Sequence, residues 1–169
     1  MENNLELLHA KNMLSDYKKY GITENELAQL LQINLFTLRK IKERKNLQHE
    51  KWLYVYKLAT LFENYKKSEN IKMQPLRENF NYNQDIRSAK QLFDQNWAIK
   101  DLAKYLHVPY NTLTSYSKKT DVIFQLPWII VKKMALLNTV ISDINQYKEK
   151  KISEYEQKYL NNSMKGISL

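Results

Sequence analysis

The side chains able to do chemistry in this sequence are few, and most lack the neighbours that chemistry needs. Histidine occurs three times, as His9, His49 and His107, with no paired spacing that would set two imidazoles on one helix face. Cysteine is absent, which removes thiolate metal ligands, a thiol nucleophile and disulfides. Two glycines cannot build a glycine-rich loop to cradle a phosphate. The 18 acidic residues sit mostly among lysines on helices and read as solvated pairs, not as an acid–base couple. The expectation is no catalytic residue, no metal and no cofactor, and hence not an enzyme.

What remains is cationic. The 27 Lys and Arg outnumber the acids and give a net charge of +9. Such a field draws polyanions, of which nucleic acid is the commonest. The run KIKERK, from Lys40 to Lys45, concentrates it, although a solvated helix face would look the same. The opening MENNLELLHAK has no apolar signal core. The longest apolar stretch, WIIVKKMALL, is interrupted by Lys132 and Lys133 and is too short to cross a bilayer. A cytoplasmic protein without a membrane partner is therefore expected.

The elements that must carry these charges repeat. ELAQLLQINLFTLRKI from Glu26 matches DLAKYLHVPYNTLTSY from Asp101 at an offset of 75. WLYVYKLATL from Trp52 matches WIIVKKMALL from Trp128 at an offset of 76. Upstream, Leu7, Ala10, Lys11, Met13 and Leu14 align more weakly with Ile86, Ala89, Lys90, Leu92 and Phe93 at an offset of 79. Three blocks in one order predict an internal duplication: a unit over 1–66, a connector over 67–83 and a second unit over 84–169. Pro75 and the Asn-rich composition mark the connector, and its Met73, Leu76, Phe80 and Tyr82 suggest that it packs on the body.

Scarce Gly and Pro, with abundant helix formers, make the fold all-α. Leu7, Ala10, Leu14 and Tyr17 fall on one helix face, closed by Gly21. Thr23 and Glu26 have capping-box spacing and start a short helix to about Leu31. After a turn at Gln32, Ile33 and Asn34, a third helix runs from Leu35 to about Lys45, and a fourth from Glu50 to Tyr65. The second unit repeats this as Asp85 to Gln95, Ile99 to Leu106, a helix from Tyr110, and one starting at Pro127 and running to about Tyr159.

Within each unit a short helix, a tight turn and a second helix recur, with small Ala28 and Ala103 where the helices cross. Leu27, Leu31, Ile33, Leu38 and Ile41 would lock the first crossing, and Leu102, Leu106, Val108, Leu113 and Tyr116 the second. At these residues both units resemble the helix-turn-helix of phage-repressor-like (Cro and cI type) transcription regulators. That family usually has Gly in the turn. Gln32 and His107 stand there instead, so either a polar residue takes positive φ at some energetic cost or the turn changes.

The resemblance implies double-stranded DNA as partner, with the third helix of each unit in the major groove. It places Asn34, Phe36, Thr37, Arg39, Lys40 and Arg44 at the first interface, and Tyr110, Asn111, Thr112, Ser115, Lys118 and Lys119 at the second. Arg39 or Lys40 would read guanine, Asn111 adenine, and Phe36 a thymine methyl. Lys42, Arg44 and Lys45 would meet phosphates. The implied function is transcriptional regulation in a phage, plasmid or other bacterial mobile element. The two surfaces differ in sequence, which fits an imperfect palindrome, a direct repeat, or a single active unit with the first as reader.

Two rivals stay open. Helical units of this kind also serve as interaction surfaces, here for a host protein such as a defence nuclease, or for a relaxase or recombinase. The 12 Tyr would suit RNA stacking, but most fall at core-like positions. The last helix carries Ile141, Ile144, Ile152, Tyr155 and Tyr159. Those residues either pair two chains into a homodimer or fold back over the connector.

Overall fold

Apolar residues at helical spacing become buried faces along most of the chain. The computed structural model describes residues 5–67, 83–95 and 97–165, and these are helices joined by short turns. In chain order the helices are α1 (Leu5–Asp16), α2 (Glu24–Leu31), α3 (Leu35–Glu43), α4 (Trp52–Lys67), α5 (Gln84–Asp94), α6 (Ile99–Leu106), α7 (Tyr110–Ser117) and α8 (Trp128–Lys165). The connector residues Met73, Leu76, Phe80 and Tyr82 lie outside the described residues.

The local signals act as their chemistry requires. At Thr23 both halves of the capping box form: Glu26 N–H donates to Thr23 Oγ1 at 3.2 Å, and Thr23 N–H to Glu26 Oε2 at 2.7 Å. Gly21 takes φ 71° and closes a 3₁₀ turn, Tyr17–Tyr20, that tightens the end of α1. Gln32 and His107 adopt φ 58° and 54°, so the turn that glycine usually serves is kept by polar residues. Each closes its helix in the same way. Ile33 N–H reaches Ala28 O at 3.0 Å, and Val108 N–H reaches Ala103 O at 2.9 Å.

The two halves meet through their backbones. Trp52 N–H donates to Leu126 O at 2.9 Å, and Trp128 N–H donates to Glu50 O at 2.7 Å, around an isolated antiparallel bridge between Lys51 and Pro127. Residues 76 positions apart thus exchange the same bond in both directions. In this register the central pair makes no bond of its own, so the missing N–H of Pro127 costs nothing. Pro127 therefore sits in the bridge, and α8 starts one residue later than the expected proline start.

Side chains reinforce the junction. Glu6 Oε2 on α1 accepts from Trp128 Nε1 at 2.9 Å and lies 2.9 Å from Lys132 Nζ, which also pairs with Asp85. Burial pulls the Lys132 pKa down, but its bonds to Asp85 and Glu6 outweigh that and leave it above the ordinary lysine range. Trp52 stacks on Tyr56 at 4.7 Å between centroids. Buried residues of both halves, from Leu7 to Met134, form one contiguous core.

Leu38 and Leu113 occupy matching, fully buried places in that core. Leu113→Ala is expected to cost about 2–5 kcal/mol through the cavity it leaves. Because the core is continuous, urea unfolding read by tryptophan fluorescence and by circular dichroism should shift as one transition. Two separated transitions would show instead that the halves unfold independently.

Candidate nucleic-acid interface

The first candidate surface is built on α3. Asn34 caps it, its Oδ1 accepting from Thr37 N–H at 2.7 Å, so the Asn34 carboxamide oxygen holds the helix start. Phe36, the second residue of α3, is 66% exposed. Lys40, one helical turn further along the same face, holds its Nζ 4.3 Å from the Phe36 ring centroid. Thr37 is half-buried, and Arg39 lies beside Lys40 on the exposed side.

Acidic residues hold three cations near this surface. Arg39 Nε is 3.3 Å from Glu24 Oε2, while Lys42 Nζ is 2.7 Å from Glu24 Oε1 and 3.1 Å from Tyr17 Oη. The Lys42 bond, with the Arg39 guanidinium behind it, holds the Glu24 carboxyl below the usual carboxylate range. The Glu24 bond likewise raises Lys42. Helix α3 ends at Glu43, short of the expected Lys45, so Arg44 is its C-cap and its Nη1 lies 2.7 Å from Glu50 Oε1. The KIKERK run is thus more than a solvated face. Glu24, which starts α2, tethers α3 through two of its cations.

The second candidate surface, on α7, is differently made. Tyr110, Asn111 and Ser115 are exposed and Thr112 is half-buried. Pro109 sits at the cap position and cannot bond as Asn34 does, and Ala98 leaves α6 equally without a side-chain cap. Thr114 Oγ1 donates to Tyr110 O at 2.9 Å and Ser117 Oγ to Thr114 O at 3.0 Å. Lys118 caps the C-terminus of α7, Lys119 follows it, and both are exposed. Asn111, Ser115 and Lys118 share one helix face, as Phe36 and Lys40 do on α3.

Both turns are supported from beneath by a lysine that is not among the expected binding residues. Lys57 of α4, 2% exposed, donates from Nζ to Leu31 O at 3.1 Å and to Gln32 Oε1 at 2.9 Å. Lys133 of α8 reaches Leu106 O at 3.5 Å. Leu31 and Leu106 end α2 and α6, where carbonyls have no intrahelical partner and a cation suits the helix terminus. The signal was present in the sequence: both lysines recur at the same place in the two matched blocks.

Burial pushes the Lys57 amine below the ordinary lysine range. Between that depressed value and the ordinary one, the unfolded chain binds more protons at this site than the folded chain. The stability of the native chain relative to Lys57→Met is therefore expected to rise with pH across that window. At neutral pH, Lys57→Met should destabilise by about 1–3 kcal/mol through the abandoned Leu31 carbonyl. Urea titrations of both proteins at neutral and alkaline pH measure both effects. Comparison of the chain with family models, curated proteins and solved structures finds no match.

Proposed function

We propose that the chain is a sequence-specific double-stranded DNA-binding protein, a duplicated helix-turn-helix regulator of a phage, plasmid or other mobile element. In this reading α2–α3 and α6–α7 are the two motifs, and α3 and α7 enter the major groove. One observation carries it: two helix pairs with the same left-handed turn each present an exposed second helix, and they flank a bond exchange between matching residues. That exchange is locally two-fold, which favours an imperfect palindrome over a direct repeat. One chain then does what ordinary repressors do with two.

The first motif is the better reader. Its second helix has a side-chain cap and exposes Phe36, Arg39 and Lys40 near its N-terminal end, where base edges are reached. Glu24 competes with DNA for Arg39 and Lys42. The second motif contributes Asn111 to base contact and Lys118 and Lys119 to phosphates.

One observation favours a protein partner instead. With Arg39, Lys42 and Arg44 all facing acidic groups, exposed Phe36 is an aromatic anchor inside a polar rim, as protein interfaces use. A host protein is the partner under that second reading.

Fluorescence anisotropy with duplexes selected from a random pool separates the two readings. DNA affinity is expected to fall steeply with salt, the log–log slope gaining about −0.9 for each phosphate neutralised. Arg39→Ala with Lys40→Ala should abolish sequence preference without altering helical circular dichroism. Glu24→Gln should tighten binding and steepen the salt slope, because it releases two cations. An unselective pool and a flat salt response would overturn DNA binding and leave the protein-directed reading.

A further inference from the structure

We propose that α8 joins two copies of this chain as a parallel pair of helices. Helix α8 spans 38 residues, about 57 Å at 1.5 Å per residue. Its first turns are packed into the core through Trp128, Val131 and Met134. From Ser142 to Leu160 it is exposed almost throughout. Most helical stability in proteins comes from packing an apolar face, and the large apolar side chains of this segment from Ile144 outward stay exposed.

It nevertheless has such a face. Leu137 and Ile141 lie half-buried at the core edge, and Ile144, Ile152, Tyr155 and Tyr159 continue outward. The spacing is regular once Lys148 is included: steps of three, four and four residues, repeating after eleven, as Ile141 to Ile152 and Ile144 to Tyr155. An eleven-residue repeat stays in line along a nearly straight helix, and these side chains fall within an arc of about 80°. The four outer ones are 48% to 75% exposed.

The charges beside this stripe say what covers it. Glu149 and Glu156 flank it on one side, and Lys151 and Lys158 on the other. When two such helices run parallel, the left flank of one meets the right flank of the other, so acid faces base on both sides. When they run antiparallel, acid faces acid and base faces base. The sequence is therefore complementary to itself in the parallel arrangement alone, with Lys151 of one copy opposite Glu156 of the other. Lys151 now sits 2.6 Å from Glu154, an exposed pair that exchanges at little cost. Lys148 interrupts the stripe, and a single lysine in such a seam fixes register and strand number at some expense in stability.

Sedimentation equilibrium of the full chain, without DNA, reads the mass directly. Twice the 20.3 kDa of one chain is expected, and the mass of a single chain overturns the proposal. The chain has no cysteine, so Tyr159→Cys gives one unambiguous thiol near the far end of the seam. In a parallel pair it meets its own copy, and diamide, which takes up the two thiol hydrogens, yields a disulfide-linked dimer on a non-reducing gel. A dimeric mass without that link overturns the parallel arrangement. Ile152→Asp with Tyr155→Asp should return the single-chain mass while the fluorescence of buried Trp52 and Trp128 stays native. A dimer that survives those two changes overturns the seam. None of these readouts depends on whether the chain binds DNA.

Discussion

A helix that begins at a buried residue has backbone N–H groups with no partner of its own. Both α4 and α8 begin this way, at tryptophans that are essentially unexposed. The partner in each case is a carbonyl of the other half, Leu126 O for Trp52 and Glu50 O for Trp128. Leaving either N–H unmet would cost about 1–3 kcal/mol at a site closed to water. Neither half can complete its last helix alone, and everything mounted on those helices takes its orientation from this exchange. The lysines that brace the two turns are among them, since Lys57 lies on α4 and Lys133 on α8.

The helices and most of the core were legible because they rest on local chemistry. Leu27 and Leu31 repeat at helical spacing in α2, as Leu38 and Ile41 do in α3, and Thr23 with Glu26 states where α2 starts. The bridge was not legible, because Glu50, Lys51, Leu126 and Pro127 lie just outside the matched blocks. Nothing in Glu50, Lys51 or Trp52 announces that they lie opposite Trp128, Pro127 and Leu126. Long-range pairing of two short stretches has no periodicity to reveal it. Pro127 misled for the same reason: its lack of an N–H suits a first helical turn and this bridge equally well.

The candidate surfaces were legible by position and illegible by charge state of company. Phe36, Arg39 and Lys40 share the exposed side of α3 as helical spacing requires. That Glu24 would hold Arg39 and Lys42 depends on how α2 crosses α3, which spacing along the chain does not encode. The same crossing makes the two helix pairs unlike. One is capped by Thr23 and Asn34 and tied by Glu24, whereas the other has Ala98 and Pro109 at its caps. The two helix pairs thus differ in capping as well as in exposed chemistry.

Proline in the bridge also acts by exclusion. An antiparallel pair that slips by one residue turns non-bonded positions into bonded ones and reverses the face of every side chain. Such a slip would ask Pro127 for the hydrogen it does not have. The register that sets Trp52 opposite Leu126 and Trp128 opposite Glu50 is compatible with this residue, and the one-residue slip is denied before any side chain is packed. A residue that contributes no bond thereby decides which bonds its neighbours make.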